Sequence, residues 1–236
     1  MSAETTTQPV EDRLILALDA AGAICSVALG AIGRDGLRVL ASRKVEQRHG
    51  QATILVPMVA EVMAEAQRAL TDLAALAVGI GPGGFTGLRI ALSTARGFGL
   101  ALGKPVIGIT NFQAAAATLS PASRAAHPGD MLVMIDSRRE EPFVALLGSD
   151  LQLRDAPRFM TMSEIARLIE TSAPAIITGD GLDLWQADLP AAAHRIAAAA
   201  DAAAILRLAA DPAQRFAHDP APLYLREPDV SLPKAV

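Results

Sequence analysis

The order in which strand-like and helix-like patterns follow one another constrains this chain more than any single motif, because one order occurs twice. Residues 14–20 (LILALDA) and 24–31 (ICSVALGA) read as two strands joined by a tight turn through Ala21 and Gly22, and residues 37–46 supply a third. The period then changes. Over residues 53–70 the apolar positions Ile54, Leu55, Met58, Val59, Val62, Met63 and Ala66 form a wide helical stripe, with Glu61, Glu65 and Arg68 outside it. Pro57 is expected in the first turn of this helix or at a kink, since proline lacks the amide donor. Residues 76–80 follow as a buried strand, 88–102 as a helix closed by Gly103 with Pro105 beyond it, and 106–109 as another strand. A short helix over 111–119 is capped by Thr110 or Asn111.

Residues 120–130, with two prolines and a glycine, read as a linker, after which the pattern returns. Residues 131–136 and 142–147 form a hairpin, 151–159 a third strand, 163–170 a helix and 175–178 a strand. A helical segment near 182–187 and an alanine-rich helix over 201–210, capped by Asp201, complete it. Three meandering strands before the helix-crossover strands indicate two similar α/β units, each on a mixed sheet. A simple Rossmann order would alternate strand and helix from the start and does not fit the first forty residues. The expected organisation is a disordered leader over 1–12, a first lobe over 13–110, a smaller second lobe over 111–210 and a proline-rich tail over 211–236.

Several function classes are disfavoured at once. A formal charge of -4 provides no global basic field for nucleic acid, although a local patch stays open. Cys25 is the only cysteine, so there is neither an internal disulfide nor a multi-cysteine zinc site. His49, His127, His194 and His218 are scattered without metal-binding spacing, so no metal is expected on this chain. The leader lacks the basic start and apolar core of a signal peptide, and no apolar run reaches the ~20 residues of a membrane span. A soluble, cytoplasmic protein is expected.

The most distinctive local stretch is GIGPGGFTGLRIAL, residues 79–92. Gly79, Gly81 and Gly84 satisfy the dinucleotide spacing between a strand and a helix, but no Asp or Glu occurs from Leu73 through Gly129 to hold a ribose. Phe85 stands where a Walker loop needs lysine. The acid-free window carries Arg89, Arg96, Lys104 and Arg124, so a phosphate near Thr86 and Arg89 is one reading. The plainer alternative is that the glycines let strand, turn and helix pack closely while Arg89 pairs with a carboxylate. In the helix beyond, Leu88, Leu92, Ala95, Gly99 and Leu102 share one face, and Ser93, Gly97 and Ala101 form a row of small residues on another. Each interior glycine costs ~0.5–1 kcal/mol relative to alanine, which a close contact on that side would offset. Such a helix is either sandwiched in its own domain or covered by a second protein.

Four segments in order, LILALDAAGAICSVAL, VGIGPGGFTGLRIALSTARGFGLALGKPVIGIT, MLVMIDSRREEPFVAL and PLYLREPD, resemble the TsaB (YeaZ) family of tRNA threonylcarbamoyladenosine biosynthesis proteins, from about Leu14 to Asp229. The resemblance implies an α/β fold of two RNase H-like, actin-like ATPase lobes, each a mixed five-stranded sheet with flanking helices. It also implies a non-catalytic subunit required by the catalytic relative TsaD, with the ATPase TsaE, for threonylcarbamoyl transfer to the adenosine beside the anticodon of tRNA. ATP and a metal would be used by that complex and none held by this chain alone, and a homodimer is the alternative state of the isolated protein. The family's docking surface uses the two helices of the first lobe, which places His49, Ile54, Met58, Val62, Leu92, Ser93, Arg96, Gly97 and Ala101 at a partner interface.

Departures from the catalytic pattern point the same way. The catalytic relative holds a metal with two histidines four positions apart, where this chain has Asn111 and Ala115, and alanine cannot ligate a metal. Between the first two strands the family usually carries Asp-Thr, and here Asp19 is followed by Ala20, Ala21 and Gly22. Asp19, Gly83, Thr86 and Arg89 are the residues through which a nucleotide would be held. His49 is either a surface cap or a partner contact. Asp136, Arg138, Arg139, Glu140 and Glu141 make a charged hairpin tip that is either a solvated turn or a contact for tRNA or TsaE. Tyr224 and Arg226 are expected to lie back on the body or on the partner. The opposing function class is an independent ATP-dependent enzyme of the same fold. A two-metal nuclease ranks third because Asp19 has no acidic companion on the 76–80 strand.

Overall fold

Strand β1 (Arg13–Asp19) is buried at six of its seven residues because helices cover both faces of its sheet. The computed structural model describes residues 12–46, 50–190 and 193–225. Successive β1 side chains alternate: Leu14, Leu16 and Leu18 enter one hydrophobic core, Ile15 and Ala17 another. β1 pairs antiparallel with β2 (Ile24–Gly33), which pairs antiparallel with β3 (Gly36–Glu46). On its other side β1 pairs parallel with β4 (Leu73–Gly79), and β4 with β5 (Val106–Ile109), giving the order β3-β2-β1-β4-β5. Helices α1 (Gln51–Glu65) and α2 (Phe85–Leu102) cover the outer face through Leu55, Val59, Val62, Leu88, Leu92 and Ala95.

The second half repeats the order. β6 (Met131–Ile135) and β7 (Phe143–Leu147) form the hairpin, β8 (Arg158–Phe159) adds antiparallel, and β9 (Ile176–Gly179) and β10 (His194–Ala197) add parallel, so the sheet reads β10-β9-β6-β7-β8. α5 (Met162–Ser172) and α6 (Leu182–Trp185) close its outer face. Between the sheets lie α3 (Asn111–Thr118) and α7 (Ala202–Ala209), packed on each other. Each crosses over: α3 leaves β5 to pack on β6 and β9, and α7 leaves β10 to pack on β1, β2 and β4. Both are rich in alanine and face Ala17, Ala28, Ala75 and Ala77, so small side chains meet small ones and the middle layer is thin. The fold is α/β with two mixed five-stranded sheets flanked by helices, as the repeated order and the resemblance led us to expect.

Several boundaries differ, each for a local reason. α1 stops at Glu65 and not at Leu70: Gln67 has φ 52, and the Asp72 carboxylate accepts from the Ala69 amide to begin a separate turn. Pro57 lies beyond the first turn of α1, on its exposed face. The expected linker contains helix α4 (Pro121–Ala126), whose cap Ser120 accepts from the Ser123 amide with proline in the first turn. The expected strand over 151–159 shrinks to β8, because Leu151 has φ 63 and Pro157 lacks a backbone donor. Strand β10 has no counterpart among the expected elements. Among the described residues no helix is long and apolar enough to cross a membrane.

Candidate functional site

The glycine turn is held against the turn that joins β1 to β2. Gly84 donates its backbone N–H to the carbonyl of Ala21 at 2.6 Å, and a side chain at Gly87 would be driven into the carbonyl of Ala20. Gly79, at the end of β4, faces the Asp19 carboxylate so closely that a methyl group there would displace it. Close packing is thus a physical reason for Gly79, Gly84 and Gly87, as the plainer reading proposed, but among the described residues Arg89 meets Phe85 and Tyr224 instead of the carboxylate that reading gave it.

Asp19 ends β1 and is fully buried. Its Oδ1 accepts the side-chain N–H of Asn111 at 3.1 Å, and its Oδ2 is buried with no partner of good hydrogen-bond geometry among the described residues, although the Ala21 backbone N–H also favours the charged form. Burial is the largest influence on its proton, opposed by the Asn111 hydrogen bond, and carries its pKa from 3.8 to about 7. Asn111 in turn accepts the Gly81 N–H at 2.8 Å, while its own backbone N–H donates to the Gly81 carbonyl at 2.8 Å. Asn111, which the resemblance led us to expect in place of a metal-binding histidine, here pins the glycine turn to β1. Ala115, at the second such position, is buried in the middle layer.

Beyond the β1–β2 turn, an open cleft of about 220 Å3 is lined by Ala21, Gly22, Gly83, Asp136, Arg138 and Asp180, among others. Its walls are acidic. Asp180 accepts the backbone N–H of Asp136 at 3.0 Å, and burial raises it to about 6 despite that bond. Asp183 also lines the cleft, and the cation Arg138 is ion-paired to Asp136 at 3.6 Å. Phosphates fit this lining poorly, because the carboxylates of Asp136, Asp180 and Asp183 face the one arginine, Arg138. Of the four residues named for a nucleotide, Gly83 lines the cleft, Asp19 lies buried and Thr86 is exposed. Arg89 is engaged elsewhere: its guanidinium lies 3.7 Å from the centre of the Phe85 ring, and its Nε–H donates to the Tyr224 hydroxyl at 2.9 Å. Among the described residues no group of three or more His, Cys, Asp or Glu is placed to hold a metal ion.

The residues expected at a partner interface divide by depth. Met58, Val62 and Leu92 are buried in the chain's own outer core and Ile54 packs partly against it, so they support the surface from beneath. Ser93, Arg96, Gly97 and Ala101 are exposed, and between them Leu100 is 87% exposed. Exposed Ala52, Val56, Pro57 and Ala60 continue an apolar and small surface along α1. A Cβ added at Gly97 would meet nothing within 4 Å. The exposed large residues Val56 and Leu100 were not among the expected contacts, although Leu100 lies three positions beyond Gly97 on the same helix face. His49 and Arg226 lie outside the described residues. Asp136 and Arg138 pair with each other at the cleft mouth.

The family profile described as TsaD, tRNA N6-adenosine threonylcarbamoyltransferase, matches residues 43–219. The tRNA threonylcarbamoyladenosine biosynthesis protein TsaB of Escherichia coli K12 is 36% identical over 132 residues, 56% of this chain and 53% of that protein. Its Haemophilus influenzae counterpart is 31% identical over 158 residues, 66% of this chain and 63% of that protein. The solved structure of YeaZ from Pseudomonas aeruginosa superimposes with a TM-score of 0.74 at 26% identity, covering 90% of this chain and 100% of the other. An uncharacterized protein of Mycobacterium leprae is 29% identical over 92% of this chain and 55% of its own length. The chain thus spans little more than half the length of several curated relatives it matches.

Proposed function

Because the chain belongs to the TsaD family of tRNA N6-adenosine threonylcarbamoyltransferases and their TsaB homologues, we propose that it serves threonylcarbamoyladenosine formation in tRNA as a docking subunit and not as the catalyst. Its partner in this reading is a TsaD protein, which carries the metal and the transfer chemistry, with TsaE and tRNA joining the assembled complex. The observation that carries the reading is the exposed face of α2. Gly97 sits in the middle of an 18-residue helix, where glycine costs about 0.5–1 kcal/mol relative to alanine, and nothing among the described residues uses the space it leaves. Beside it Leu100 stands almost fully in water. A bare backbone next to an unsupported leucine suits the close approach of a second protein's helix.

Two further features support the assignment of chemistry to the partner. Asn111 spends its side chain on Asp19 and Gly81, and Ala115 offers no ligand atom. The cleft presents carboxylates where a nucleotide would bring phosphates. The deciding experiment mixes the chain with its cognate TsaD and measures both association and threonylcarbamoyl transfer. We expect a stable complex that modifies tRNA, weakened by Ala101→Glu, and no transfer by the chain alone. Normal modification in cells lacking the chain would overturn the reading. So would robust magnesium-dependent ATP hydrolysis by the pure chain that Asp19→Asn abolishes, which would establish it as an independent enzyme.

A further inference from the structure

The segment after α7 returns across the whole first lobe. Phe216 is buried in the middle layer, and His218 exchanges two backbone hydrogen bonds of 2.9 Å with Gly108 on the edge strand β5. Leu223 donates its backbone N–H to the Ile80 carbonyl at 2.7 Å, beside the glycine turn, and packs against the outer core. Tyr224 then reaches the first turn of α2. Its ring lies 5.7 Å from that of Phe85 at 30°, its hydroxyl accepts from Arg89 Nε, and the Arg89 guanidinium lies over Phe85. Phe85 and Tyr224 each remain 43% exposed.

Phe85, Arg89, Ser93, Gly97 and Ala101 follow one another at spacing four along α2, and all five are exposed. They form one ridge of the kind a neighbouring helix packs against, with bulky groups at its start and bare backbone further on. We propose that residues 216–224 are a strap whose terminal Tyr224 fixes Phe85 and Arg89 as the rigid rim of the docking ridge, so that the C-terminal segment positions the partner-binding surface. This rests on the docking reading above. Left alone, the long Arg89 side chain and the exposed Phe85 ring would sample many rotamers, and ordering them on binding would weaken the complex. Stacked aromatic and guanidinium groups fixed beforehand are the residue types that dominate interface energies.

The test is the affinity of the full chain for its cognate TsaD, measured by calorimetry, for Tyr224→Ala, Tyr224→Phe, Phe85→Ala and the Phe85→Ala/Tyr224→Ala pair, with Gly97→Leu as reference. Tyr224→Ala is expected to weaken binding about tenfold while its thermal midpoint stays near that of the parent. Tyr224→Phe keeps the stack and is expected to lose no more than about threefold. The double variant should be no weaker than the worse single one, since both remove the same rim. Parental affinity for Tyr224→Ala alongside a damaged Gly97→Leu would overturn the strap and leave the docking reading standing. Parental affinity for both would overturn the two together, and additive losses in the double variant would also count against a shared rim.

Discussion

Asn111 and Asp19, ninety-two positions apart in sequence, are joined by a hydrogen bond of 3.1 Å in which the asparagine donates Nδ2–H to the carboxylate. The same side chain accepts the Gly81 N–H through Oδ1, so one buried amide ties the end of β1 to the glycine turn and to the first residue of α3. Asn111→Ala would strand a buried carboxylate oxygen and a buried backbone donor together. Unsatisfied groups of this kind cost about 1–3 kcal/mol each, so a loss of about 2–6 kcal/mol is expected in urea unfolding. Asn111→Asp keeps an acceptor for Gly81 but sets a second carboxylate against Asp19, so its loss should grow as the pH rises through about 7. A loss below about 1 kcal/mol for the alanine variant would show that the bridge does not hold the turn.

The pH dependence of stability follows from the same carboxylate. Burial, only partly offset by Asn111, lifts Asp19 from 3.8 to about 7, and burial lifts Asp180 to about 6. Between about pH 4 and pH 7 the unfolded chain has released a proton at Asp19 that the folded chain retains. Stability rises with pH only where the unfolded state holds more protons, so here these two groups make it fall, Asp180 up to about pH 6 and Asp19 up to about pH 7. Asp19→Asn, close in shape to the neutral acid, should flatten this slope and gain stability over the parent at pH 8. Thermal midpoints of the two proteins from pH 4.5 to 8 provide the check. Parallel curves would mean that Asp19 titrates normally.

Cys25 offers an independent probe of the same core. It is fully buried on β2, and burial first, then the Asp19 carboxylate, pushes its thiol to about 11. Only the thiolate reacts readily, so a thiol reagent at pH 8 should label the native protein slowly and the urea-unfolded protein at once. Rapid native labelling would show that β2 opens on the timescale of the assay.

The two-lobed order was legible because each sheet begins with a meander of apolar runs and continues through strongly periodic helices, as in β1 to α2. Strand β10 was not, because HRIA lies among alanines and prolines that carry neither alternation nor a helical stripe, and its pairing with β9 is long-range. The site divides similarly. Small residues at spacing four announced the α2 ridge, while the depth of Met58, Val62 and Leu92 depended on how far the helices sink onto the sheet. The contact between Arg89 and Tyr224 spans 135 positions, and local pattern, which placed Tyr224 on the body or on a partner, does not single out Arg89. Asp180 likewise enters the cleft only because the second sheet brings the end of β9 beside Gly22.

Gly97 and Gly99 lie two positions apart on one helix and should respond oppositely to the same change. A Cβ at Gly99 would come within 2.5 Å of a Val106 methyl carbon on β5 and 3.1 Å of the Lys104 carbonyl, where backbone and strand leave little room to yield. Gly99→Ala is therefore expected to destabilise the chain by about 1–3 kcal/mol through overpacking. Gly97 faces open space, so Gly97→Ala should stabilise the isolated chain by about 0.5–1 kcal/mol, the ordinary preference of a helix for alanine. Gly97→Leu should also leave the isolated fold intact while weakening association with TsaD, since none of the described residues occupies that space. Urea unfolding of the two alanine variants, paired with TsaD affinity for Gly97→Leu, separates a glycine kept for internal packing from one kept for a partner. If Gly97→Ala destabilises as Gly99→Ala does, the glycine serves the chain's own fold and the α2 face loses its strongest claim as a docking surface.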